Sequence, residues 1–73
     1  MNIYAKEGHK VIVTKQGINS GYDHHKKTAK KYLRVGNIYT VEYTSVGGWH
    51  TDVYLKEIPN VAFNSVHFDD AES

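Results

Sequence analysis

Asn37-Ile38-Tyr39-Thr40-Val41-Glu42-Tyr43-Thr44-Ser45-Val46-Gly47-Gly48-Trp49-His50-Thr51-Asp52-Val53-Tyr54-Leu55 is the stretch whose pattern decides the fold. From Asn37 to Thr44 the side chains alternate, with Tyr39, Val41 and Tyr43 on one face and Thr40, Glu42 and Thr44 on the other. After Gly47-Gly48, a pair that permits positive φ angles, Trp49, Thr51, Val53 and Leu55 alternate with His50, Asp52 and Tyr54. Two runs of period two about a glycine pair predict a β-hairpin. This pattern puts Trp49 on the core face, covering one end of the sheet, and sets Glu42 opposite Asp52 on the polar face.

Upstream, Val11, Ile12, Val13 and Thr14 are β-branched, which makes His9 to Thr14 a first strand with Val11 and Val13 inward. Gly17, Asn19, Ser20 and Gly21 read as a loop from Gln16 to Tyr22. Downstream, Pro59 cannot donate to a ladder and ends the third strand in a turn. Phe63 to Phe68 then forms the last strand, with Val66 and Phe68 inward. The organisation expected is one domain over residues 1–68 and an acidic flexible tail over residues 69–73.

The chain has 73 residues, too few for a large substrate cavity, and a net charge of only +1. That small net charge conceals a strong asymmetry. Residues 15–34 carry Lys15, Lys26, Lys27, Lys30, Lys31 and Arg34 against Asp23 alone, a net +5. The remainder carries Lys6, Lys10 and Lys56 against Glu7, Glu42, Asp52, Glu57, Asp69, Asp70 and Glu72, a net −4. A concentrated cationic segment points to an anionic partner or a steered encounter. The absence of cysteine fits a reducing compartment. With no long apolar run and no signal-like N-terminus, the expectation is a cytoplasmic protein without a membrane partner.

The basic segment breaks the β pattern. Asp23 is a helix-capping type, and His24 to Arg34 contains neither Gly nor Pro. At about 100° per residue, Lys26, Lys27, Lys30, Lys31 and Arg34 share one arc of roughly 140°, while His25, Ala29, Tyr32 and Leu33 occupy another. A short helix here has an apolar side to dock on a sheet and a cationic side for solvent. Repulsion within the pairs Lys26/Lys30 and Lys27/Lys31 amounts to a few tenths of a kcal/mol each.

Strand, long excursion, hairpin, Pro turn and final strand together resemble an SH3-like small barrel. Leu33-Arg34-Val35-Gly36-Asn37-Ile38-Tyr39-Thr40-Val41 is similar to its diverging turn and second strand, and Ile58-Pro59-Asn60 to the turn before its last strand. Gly8-His9-Lys10-Val11-Ile12-Val13, followed by Gly17, is similar to the opening of a KOW motif. In size and style the chain also resembles small phage and prophage proteins. The fold class this implies is mainly β, a five-stranded SH3-like barrel with a long basic first connection that has room for a short helix. SH3 domains that bind proline-rich peptides carry an acidic first loop, whereas this loop is basic, so that ligand class is not expected.

The function expected is a non-enzymatic binding module for nucleic acid or another anionic surface, with no cofactor. Lys26, Lys27, Lys30, Lys31 and Arg34 would contact phosphates, whose counterion release gives salt-dependent affinity with little sequence preference. Tyr22, Tyr32 and, if exposed, Trp49 would stack on bases, which slightly favours single strands or RNA over duplexes. A solvated cationic face that only maintains solubility explains the same lysines. So does an acidic protein surface as partner, which leads to the second class, an adaptor or a phage-type inhibitor of a host protein. Catalysis has no visible constellation: Ser20, Ser45 and Ser65 lie in no nucleophile elbow, and Gly47-Gly48 lacks the lysine of a phosphate loop. No pair among the five histidines has carboxylate-backed zinc spacing, so structural roles are expected and no metal site. Protonation of His24 and His25 below about pH 6.5 would add charge to the basic segment.

Overall fold

The structure is a computed structural model and describes residues 1–71. β-branched Val11, Ile12 and Val13 form β1 (Lys10–Val13), with Val11 and Val13 buried. A one-turn helix α1 (Lys15–Ile18) and a longer helix α2 (Asp23–Tyr32) fill the first connection. Four further strands follow: β2 (Ile38–Val46), β3 (Thr51–Leu55), β4 (Ala62–Asn64) and β5 (Phe68–Asp70), with a 3-10 turn, Ser65–His67, between the last two.

All strand pairings are antiparallel, in the order β4-β3-β2-β1-β5. The architecture is therefore mainly β, with a helix in the basic connection, as the pattern predicts. The sheet differs from the expected barrel in being open: β4 and β5 are its two edges and do not pair among the described residues. Val11, Val13, Tyr39, Val41, Val53, Leu55, Phe63 and Phe68 supply the sheet side of one core, which Ile18, Ala29 and Leu33 cover from the helices.

Several expected placements change, each for a local physical reason. The Gln16–Tyr22 loop begins inside α1, because the Thr14 hydroxyl accepts from the Gly17 N–H at 2.8 Å and Ile18 has core to bury into. In β2, Val41 pairs with Leu55 and Tyr43 with Tyr54, which leaves Glu42 as an extra residue in a bulge. The bulge reverses the alternation, so Tyr43 turns outward and stacks on Tyr54 with ring centroids 4.3 Å apart. It also removes the expected Glu42–Asp52 pairing, since Asp52 lies opposite Ser45.

The hairpin closes at the Val46–Thr51 pair, so Trp49 belongs to the loop and is 90% exposed rather than in the core. Gly47 is needed there for close approach, not for a positive φ: a β-carbon would lie 2.8 Å from the His50 carbonyl oxygen. The expected Phe63–Phe68 strand is interrupted by the 3-10 turn, where Asn64 Oδ1 accepts from the Val66 N–H. Rotation through that turn exposes Val66 and buries His67, while Phe68 remains inward as predicted. Asp69 and Asp70, assigned to a flexible tail, instead pair with Ile12 and Val11 in β5, and Asp70 accepts from the His9 ring at 2.8 Å. The tail's last two positions, 72–73, lie outside the described residues.

Candidate functional site

α2 starts one residue earlier and ends sooner than the expected His24–Arg34 span. Asp23 is its first helical residue rather than its cap, and it pairs with Lys26 at 3.2 Å. Tyr22 takes the N-cap position without a side-chain capping bond. Leu33 leaves the helix with extended backbone, but its N–H still donates to the Ala29 carbonyl. An acid in the first turn and Lys30 and Lys31 in the last both favour the helix dipole.

The two faces separate as the spacing predicts. Ala29 and Leu33 are fully buried, and Tyr32 meets Phe63 edge-on at 6.2 Å. Lys27, Lys30, Lys31 and Arg34 are exposed on the other side, and among the described residues none of the four pairs with a carboxylate. Lys26 is half-buried and occupied by Asp23, which distinguishes it from the others. The Arg34 guanidinium donates to the Lys30 and Leu33 carbonyls and so lies back along the helix end. Lys31 holds its ammonium 5.3 Å from the centre of the Tyr32 ring.

Tyr22 and Tyr32 stand at opposite ends of α2, about 15 Å apart along its axis, so one base cannot engage both. Tyr22 belongs to an aromatic cluster. Its ring lies nearly parallel to His24 at 6.3 Å and edge-on to His25 at 5.2 Å and His50 at 6.0 Å. His25 in turn touches His24 at 4.2 Å and His50 at 4.8 Å between ring centroids. Asn64 Nδ2 donates to His25 Nδ1 at 3.2 Å, and His50 Nε2–H donates to the Asp52 carboxylate at 2.9 Å. Burial lowers the His25 pKa below its ordinary value, and the neighbouring His24, His50 and His67 push the same way against an opposing pull from Asp52. This downward shift works against the extra charge expected of His25 on acidification. Among the described residues no three histidine, aspartate or glutamate side chains form a metal-holding group.

Sequence reasoning missed the groove beside this cluster. A concavity of about 530 Å³ lies between Tyr22 and the hairpin loop, lined among others by Ile3, Val46, Trp49 and Val66. Tyr22, Val46 and Val66 are each about half exposed and Trp49 almost wholly so. The signal available in the sequence was Gly47-Gly48 immediately before Trp49, which places the indole at a hairpin tip instead of in a strand.

Among the described residues no helix is long and apolar enough to cross a membrane. No curated protein and no solved structure matches the chain. The family model described as bacteriophage T4 protein Y07B matches residues 2–73. With nearly the whole chain matched, the protein belongs to the bacteriophage T4 Y07B family.

Proposed function

We propose that the protein is a small phage-type binding module that engages nucleic acid through the solvent face of α2. The observation that carries this reading is the set Lys27, Lys30, Lys31 and Arg34, exposed on one side of a docked helix with no carboxylate partner among the described residues. Such an array displaces counterions from a phosphate backbone and discriminates little between sequences. Lysines outnumber arginines in it, which suits point-charge contacts to phosphate better than bidentate readout of base edges. Tyr22, at the entry of the helix and 48% exposed, is available to stack on an unpaired base, and this favours single strands or RNA. Lys26, tied to Asp23, makes the weakest claim to a phosphate.

A finer likeness to SH3-like domains, short of the closure that the open sheet lacks, draws on the long first connection and the five antiparallel strands. The protein-adaptor reading draws on a different observation, the apolar rim formed by Val46, Trp49 and Val66.

Titration with a single-stranded oligonucleotide at several salt concentrations tests the proposal. Replacing Lys27, Lys30 and Lys31 together by alanine is expected to weaken binding across all sequences. It should also flatten the log–log salt slope by about 2, at roughly 0.7 per lost phosphate contact. An unchanged affinity and slope in that variant would overturn the assignment.

A further inference from the structure

The groove at the hairpin tip has a rim of exposed apolar groups and a position that ties it to the cationic helix. Tyr22 is at once the N-cap of α2 and a wall of the groove, so the concavity opens at the end of the helix where the lysine face begins. Trp49 lines the same concavity, and its indole is 90% exposed, with almost no protein surface covering it. Thr51, Asn64, Ser65 and His50, whose Nε2 is held by Asp52, add polar groups to the lining. The cluster of His24, His25 and His50 packs around Tyr22 and fixes the ring against which a ligand would lie.

We infer that this groove is a nucleobase subsite, seating unpaired bases of the same single strand whose phosphates follow α2, with Trp49 as the principal stacking platform and Tyr22 as the opposing wall. The inference rests on the phosphate-binding reading of α2 and adds to it the seat of the bases. Charge complementarity selects this occupant. The element flanking the groove presents Lys27, Lys30 and Lys31 outward, and its one acid, Asp23, is engaged by Lys26. A purely apolar peptide would fill the groove and leave those cations unanswered. A single strand supplies flat π-faces for the groove and phosphates for the helix in one polymer. Paired bases cannot reach the indole, because stacking here requires a free base face; duplex binding would use the lysines alone.

Trp49 is the chain's single tryptophan, so its emission reports on the groove directly. The test compares an oligothymidylate with an abasic deoxyribose-phosphate oligomer of equal length, using wild type, Trp49→Ala, Trp49→Phe and the triple-lysine variant. Because Trp49 is so exposed, its replacement leaves the fold intact, which circular dichroism checks. The expected result is quenching of Trp49 by the oligothymidylate only. Trp49→Ala should lose about 5- to 100-fold in affinity for it and nothing for the abasic oligomer, with Trp49→Phe recovering most of the loss. Equal binding of both oligomers by wild type and Trp49→Ala, with loss only in the triple-lysine variant, would overturn the base subsite while the phosphate reading stands; the groove would then pass to a protein partner. Failure of wild type to bind either oligomer would overturn both.

Discussion

Gly17 lies where α1 meets the 3-10 turn, and a β-carbon there would come within 2.6 Å of the His67 carbonyl oxygen and of Thr14 Oγ1. The same neighbours explain why His67 is buried: its Nδ1–H donates to the Gly17 carbonyl at 2.8 Å. Gly17→Ala must therefore displace backbone, and we expect a loss of about 1–3 kcal/mol in urea unfolding. An unchanged midpoint would contradict the contact. His25 gives a second residue-scale expectation. Its folded pKa lies below the unfolded value of about 6.5, so the unfolded chain binds more protons just under that pH. Its contribution to stability is intact above about pH 6.5 and is lost as pH falls from there through the folded pKa. His25→Gln, which can still accept from Asn64, should make stability shallower with pH in that window; an identical pH profile would show that His25 does not set it.

Between elements, β3 ends at Leu55, opposite Val41, and beyond that pair the Thr40 N–H donates to both Glu57 carboxylate oxygens at 2.8 and 3.0 Å. Burial raises the Glu57 pKa, but acceptance of these bonds and the nearby Lys10 ammonium outweigh it and leave the carboxyl below its ordinary range. A depressed carboxylate contributes stability that is present above the unfolded value of about 4.3 and disappears as pH falls through the folded one. Glu57→Gln should cost about 1 kcal/mol at neutral pH, a figure reduced for solvent screening, and should blunt acid unfolding below about pH 4. Equal acid midpoints for variant and wild type would remove Glu57 from this role. The elements themselves were largely legible: the period-two runs identified β1, β2 and β3, and the spacing of Ala29 and Leu33 identified the buried side of α2. What escaped was every departure from uniform period. One extra residue at Glu42 inverted Tyr43, a hairpin loop longer than two residues freed Trp49, and a 3-10 turn exchanged Val66 for His67. Such insertions depend on pairing partners that are distant in sequence and leave no local composition signal.

At the scale of the whole molecule, the charge asymmetry written in the sequence leaves α2 with an outward cationic face. α2 docks through Ala29 and Leu33 and holds its lysines outward, whereas Asp69 and Asp70 sit in β5, with Asp70 engaged by His9 and by the Asn2 N–H. The cationic part of the candidate site was legible because charge is local in sequence and helical period is simple. The groove was not, because Tyr22 and Trp49 line one concavity only in the folded chain, where Tyr22 and His25 meet His50 of the hairpin loop. The most direct measurement is a residue-resolved NMR titration of the folded protein with a short single-stranded oligonucleotide at low salt, repeated at high salt. The account predicts shifts confined to Tyr22 through Arg34 and the Trp49 indole, with the backbone shifts along α2 fading as salt rises. Shifts located instead on β1 and β5 and indifferent to salt, or no shifts at all, would contradict it.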